Sequence, residues 1–352
     1  MKTFLLGVTA IFIFIALAYG QDQKQGPQYE KQESGVPVLT GFVGLGSEFE
    51  PGKQQVLPAI APILLVPIGD RVLLESEAEF EGNYTHLTDQ DWSHKWDKGI
   101  EYAQIDWFAN KYMTVVGGRF LTPFGIFNER LHSGWIRNLQ TAPFITALEM
   151  TDSNGGMVRG GIPVNNDLNI NYSGYYSAFS SVNWLKSDRA AGGRVGFFFP
   201  RARVEIGGTF QRKLGDGTRN LQGVDFNWQL KPIPLDIRGE FARDPLIGKG
   251  YWVEGAYRMR RIPVAKAFMR KSQIEARWEQ FFVSPMMGTM DTGDMEIPSN
   301  DAKRVFVGWS YWVRPDVRAN FAYGREFNPV EHDHNVWTAG LTYRFAFPLG
   351  GK

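Results

Sequence analysis

Near its end the chain alternates strictly: Trp337, Ala339, Leu341, Tyr343, Phe345 and Phe347 share one parity, and Thr338, Gly340, Thr342 and Arg344 the other. Residues two apart on a β-strand point to the same side, so one face of this segment is wholly apolar and the other polar. Upstream, Val317, Ala319, Phe321 and Tyr323 oppose Arg318, Asn320, Ala322 and Gly324. Leu235, Ile237 and Phe241 likewise oppose Asp236, Arg238 and Glu240, and Val204, Ile206 and Phe210 oppose Arg203, Glu205, Thr209 and Gln211. Such segments follow one another from Thr40 to Phe347, bounded by Gly, Pro, Asn and Asp, and they predict an all-β chain.

The breaks between segments are of two alternating kinds. Tight turns, several built on Pro, are expected at 67–70, 109–111, 163–167, 200–201, 231–234, 261–263 and 314–316. Between them lie mostly longer, more polar connections at 83–98, 120–152, 179–189, 214–218, 244–248, 284–301 and 327–333. Short turns on one rim and long loops on the other describe a transmembrane antiparallel β-barrel, and the breaks leave room for roughly sixteen strands. A soluble sandwich is the rival reading. It would turn its apolar faces inward, yet the polar faces here carry full-length charges. The apolar faces also often end in aromatics, such as Trp309 with Tyr311 and Trp278 with Phe282, which suits the two interfacial girdles of a lipid-facing band.

Residues 1–20 read as a secretory signal peptide: Met1-Lys2, an apolar run from Phe4 to Ala18, and the small-residue ending Ala18-Tyr19-Gly20. Residues 21–37 form a polar, flexible lead segment, and 38–352 the barrel. No later apolar run approaches the length of about 18 residues expected of a membrane helix. An exported chain without cysteine has no disulfides, thiolate chemistry or thiolate metal site. With 38 basic against 37 acidic residues, binding of nucleic acid through net positive charge is excluded.

The connection at 120–152 is exceptional, since structureless loops longer than about 12–15 residues are usually functional or disordered. This one is rich in Phe, Leu, Ile and Trp, and it needs burial. As the third long loop it is expected to fold inward against the barrel wall, with Glu129, Arg130, Arg137 and Glu149 at a constriction; a lid over the barrel mouth is the alternative. Placing the apolar strand faces against lipid puts Glu75, Glu77, Glu79, Arg159, Arg194, Arg203, Arg238, Arg258, Arg277, Arg318 and Arg344 along the lumen. Glu205, Glu240, Glu254, Glu275 and Glu279 share that face. A barrel of this strand number is wide enough for an aqueous channel, and separate positive and negative patches would sort solutes by size and charge.

Gly118-Arg119-Phe120-Leu121-Thr122-Pro123-Phe124-Gly125-Ile126-Phe127-Asn128-Glu129 resembles the segment that opens the third loop in bacterial outer-membrane porins of the phosphate-selective type. The resemblance implies a passive channel of sixteen strands, a homotrimeric assembly, an inward third loop, and Arg119 beside Arg130 and Arg137 as the basic residues of the motif region. Residues 120–152 contain no lysine, so anion selectivity does not follow from it.

No enzymatic motif accompanies this pattern: there is no Gly-x-Ser-x-Gly elbow and no phosphate-binding glycine loop with a following Lys. Of five histidines, His332 and His334 flank Asp333 in an expected external loop, while His86, His94 and His132 stand alone in the sequence. Neither a metal nor a cofactor is expected. The function predicted is passive diffusion of small hydrophilic solutes or ions through the bacterial outer membrane, with lipid as the surrounding partner. A structural or adhesive barrel without an open channel is the alternative, and an outer-membrane hydrolase a more distant one.

Overall fold

A computed structural model describes residues 35–149, 152–215, 218–230, 232–286, 298–327 and 332–350. The expected signal peptide, most of the lead segment, residues 287–297 of the long 284–301 loop and the side chain of Glu149 lie outside the described residues. The strands are β1 Val38–Glu50, β2 Lys53–Ile68, β3 Val72–Leu87, β4 Ser93–Asn110, β5 Met113–Leu121 and β6 Asp152–Asn165. They continue with β7 Leu168–Ala178, β8 Ala190–Phe199, β9 Val204–Lys213, β10 Arg219–Leu230 and β11 Leu235–Asp244. The last are β12 Gly248–Arg258, β13 Ser272–Val283, β14 Ala302–Arg314, β15 Val317–Phe327 and β16 His334–Pro348. Each pairs antiparallel with its neighbours in sequence, and β1 pairs with β16, so the sheet is a closed barrel of sixteen strands without a free edge.

The alternation sorts side chains as expected of a barrel and opposite to a soluble core. On β13, Glu275, Arg277 and Glu279 are 1–2% exposed, whereas Ile274 and Trp278 on the other face are 44% and 39% exposed. Ile206, Phe210, Val224, Phe241, Val253, Val307, Phe321 and Trp337 extend this apolar exterior around the wall. A sandwich would bury those residues and leave the charges in water, and water gives no reason for so much exposed apolar surface.

Three connections differ from the sequence reading. The expected loop 83–98 is mostly strand, leaving only residues 88–92 between β3 and β4. Its Asn, Gly and Asp residues read as turn formers, but Tyr84 stacks across the hairpin on His94 at 5.8 Å and meets Trp96 edge-on at 6.2 Å, and such pairs extend a ladder. The expected tight turn 261–263 belongs to a longer connection, 259–271, with a 3-10 turn at Met259–Arg261 and one helical turn at Lys266–Met269. Arg203, expected to line the lumen from a strand, lies in the β8–β9 turn, exposed and with left-handed φ of 53°, so it leaves the barrel's inner face before β9 begins.

Candidate functional site

The β5–β6 connection, described over residues 122–149, enters the barrel. Pro123 lacks the N–H that would continue strand pairing. Gly125 then turns the chain with φ of 65°, in a place where a Cβ would run into the Glu240 carboxylate. Glu240, from β11, accepts hydrogen bonds from the Ile126 and Phe127 backbone N–H groups at 3.0 and 3.3 Å, so a wall residue holds the start of α1, Phe127–Arg130. Phe124, Ile126, Phe127, Leu131, Ile145 and Leu148 pack on Leu221, Ala242, Trp252 and Phe281 of β10 to β13. Burying each large apolar side chain contributes about 1.5–3 kcal/mol, which explains why this loop does not stay in water.

The middle of the loop has no regular structure, so its backbone groups need partners that the loop cannot supply. The wall supplies them. Arg277 donates to the Thr141 carbonyl and hydroxyl at 2.8 and 3.0 Å, Arg304 to the Ala142 carbonyl at 3.0 Å, and Arg318 to the Gly134 carbonyl at 3.0 Å. The Phe144 N–H donates to Glu279 at 2.8 Å. Asn138 donates to Glu254 at 2.7 Å and accepts from Gln273 at 2.9 Å. The Trp135 ring lies under both Arg318 and Arg344, at 5.5 and 5.4 Å, and Leu139 packs against Phe306, Ala322 and Val336. The inward charges of β12 to β15 therefore hold the loop, and water reaches few of them.

The opposite side is more open. Side-chain exposure is 36% for Arg130, 33% for Arg159 and 25% for Glu129, against 1% for Arg277 and Glu279. Arg159 reaches Asp106 at 2.5 Å and Glu129 at 3.3 Å, while Arg130 reaches Glu205 at 2.8 Å. Arg194 is buried behind them between Glu205 and Asp225, at 3.0 and 2.5 Å. Along β3, Glu75, Glu77, Glu79 and Glu81 share the inward parity, opposite inward residues of β2 such as Ile63 and Leu65.

Of the residues expected at the constriction, Glu129 and Arg130 lie on α1 facing β6 and β9. Arg137 folds back onto the loop itself, donating to the Leu131 carbonyl at 3.0 Å and to the His132 carbonyl. Burial lowers the pKa of its guanidinium, against the pull of Glu79 and Glu81. Arg119 takes a structural position instead: it binds Asp152 at 2.6 Å and donates to the Ile100 and Lys186 carbonyls and to Asn154. That clamp ties the middle of β4 and the start of β6 to the 179–189 loop. Glu75, Glu77, Glu79, Arg159, Arg194, Arg238, Arg258, Arg277, Arg318 and Arg344 all face the barrel interior by register.

Arg304, Glu101 and His132 were not among the expected site residues. Arg304 was within reach, since Trp309 and Tyr311 facing outward put residue 304 inward. Glu101 was not, because it is the unpaired residue of a β-bulge where β4 shifts register against β3, between the pairs Glu77–Tyr102 and Ala78–Ile100. A bulge re-aims a side chain that strict alternation would place elsewhere. His132, alone in the sequence, lies with its Nε2 3.5 Å from a Glu101 oxygen, and burial, with Arg137 beside it, pushes its pKa down to about 4.

No family model and no curated protein matches the sequence. Solved structures match in shape. OprB of Pseudomonas putida, in its high-pH structure, aligns over 92% of this chain and 96% of its own with a TM-score of 0.61 at 9% identity. The anion-selective porin from Comamonas acidovorans aligns over 88% and 98%, with a TM-score of 0.53 at 10% identity. OmpT, an outer membrane protein of Vibrio cholerae, aligns over 90% and 99%, with a TM-score of 0.52 at 14% identity. At such identities the likeness establishes the fold, a porin-like barrel.

Proposed function

We propose that the chain is an outer-membrane channel through which small hydrophilic solutes diffuse passively, and that the solutes pass between α1 and the β3–β9 side of the wall. The observation that carries this is the unequal water exposure of the inward charges: the side chains of Glu129, Arg130 and Arg159 are 25–36% exposed, while those on β13 are sealed. The apolar exterior suits lipid, and the closed ladder satisfies every strand without an edge, as a bilayer requires. Arg130 and Arg159, the guanidiniums of this passage, are each held by a carboxylate. We therefore assign selection by size with weak charge preference, and no preference for phosphate is carried over from the loop motif. Export by a cleaved signal peptide and assembly as a homotrimer belong to the same proposal.

The dense packing of the loop against β10 to β15 favours one other reading, a sealed barrel with a structural or adhesive role. Planar-bilayer recording separates the two. Stepwise conductance with small reversal potentials in a salt gradient is expected; silence from protein that keeps its β circular dichroism would overturn the channel. Because the chain has no cysteine, single thiols map the path cleanly. Current through Glu129→Cys and Arg159→Cys should fall on addition of a charged methanethiosulfonate, while Ser310→Cys, fully buried on β14, should be unaffected. A block at Ser310→Cys but not at Glu129→Cys would place the path on the other side of the loop.

A further inference from the structure

Glu79 on β3, Glu101 on β4 and His132 in the loop each bring a ligand atom to a common point, all within 4.8 Å of one another. They come from three segments that only the folded barrel unites. His132 is 7% exposed, and among the described residues neither of its ring nitrogens has a hydrogen-bond partner. Leaving a buried polar group unsatisfied costs about 1–3 kcal/mol. The loop's other polar groups contrast with it, since Asn138 and the carbonyls of Gly134, Thr141 and Ala142 all find partners on the wall. The imidazole is instead aimed at two carboxylates, one of which reaches it only because of the bulge at Glu101.

We infer that Glu79, Glu101 and His132 form a binding site for a divalent transition metal of the zinc class, which pins the loop to the barrel wall. An imidazole nitrogen and carboxylate oxygens are donors that zinc takes, and three of them leave the fourth tetrahedral position to water. Imidazole favours such metals over magnesium or calcium, which take six or more oxygens. Zinc bonds of about 2.0–2.2 Å place neighbouring ligand atoms of a tetrahedron roughly 3.3–3.6 Å apart. The Nε2 to Glu101 separation of 3.5 Å already has that spacing, so Glu79 makes the larger adjustment. The surroundings favour a dication: Glu77 and Glu81 flank Glu79 on the same face of β3, and with Glu101 they set four carboxylates against two guanidiniums, Arg137 and Arg119. The metal would join this inward loop to the strand pair on its acidic side, a link that none of the loop's hydrogen bonds to β11–β15 provides.

The test uses the full chain, folded in detergent and stripped of metal with EDTA, and does not depend on conductance. Titration with zinc chloride, read by calorimetry, is expected to give one saturable site per chain that magnesium does not compete for. His132→Ala and Glu79→Gln should each weaken it at least tenfold, whereas replacing both His332 and His334 with Ala should leave it unchanged. Zinc-edge absorption should report a light-atom shell of nitrogen and oxygen. Should His132→Ala lose its β circular dichroism, Glu101→Gln takes its place, with the same tenfold loss expected. Absence of saturable zinc binding to the unmodified chain overturns the site, as does binding that survives Glu79→Gln and either partner variant.

Discussion

Excising residues 124–149 and joining the flanks with a short Gly-Ser turn should raise single-channel conductance severalfold. The design is feasible because Leu121 and Asp152 are paired neighbours across β5 and β6, so a hairpin closes the gap without moving either strand. The loop's apolar residues and its bonds to wall groups from β9 to β15 fill space that a barrel of sixteen strands otherwise leaves to water. Once the loop is gone, Arg277, Arg304, Glu254 and Glu279 become hydrated, which relieves the need for the partners it supplied. Conductance unchanged in a correctly folded deletion would mean that the loop does not set the constriction. A rise from none would show that the intact protein is sealed.

Glu279→Ala should be among the most destabilising single changes in the wall. Glu279 is 1% exposed and accepts from Arg304 at 2.8 Å, from Arg277 at 3.3 Å and from the Phe144 N–H at 2.8 Å. Its removal takes the nearest anion from two guanidiniums, which keep only Glu254 and Glu326 at 3.8 Å, and the acceptor from a loop amide, in a place closed to water; breaking a buried pair in this way costs about 3–5 kcal/mol. Glu279→Gln keeps the shape and the acceptor for Phe144 but not the charge, and should cost less. Denaturant midpoints of the two variants, measured by circular dichroism, check the order. A loss below about 1 kcal/mol for Glu279→Ala, the value typical of exposed pairs, would mean that water reaches this network.

The strands were legible because their two faces differ as much as lipid and charge differ: the alternation at Val317–Gly324 and Trp337–Arg344 carries over residue by residue into β15 and β16. The inward placement of the long loop was legible from its apolar content. What the charges are for was not. Arg277 and Arg318 follow the inward parity whether they line water or bind the Thr141 and Gly134 carbonyls, and parity records direction, not partner. Arg203 fails for a different reason, since alternation continues smoothly through a residue whose backbone has already turned. Glu101 marks the limit of the method: one unpaired residue on β4 resets the parity, and with it the chance of seeing that a lone histidine has company.

The loop's supports also set an order of assembly. It is tethered between β5 and β6, yet its hydrogen bonds run to residues as many as 184 positions away, on strands that leave the ribosome much later. Contacts so distant in sequence form slowly, because the chain must be ordered before they reward it. Until β10 to β13 are in register, Phe124, Phe127, Leu131 and Ile145 have nothing to settle on. A half-built barrel thus carries an apolar segment with nothing yet to pack on, which makes it prone to aggregate until the last strand closes the ring.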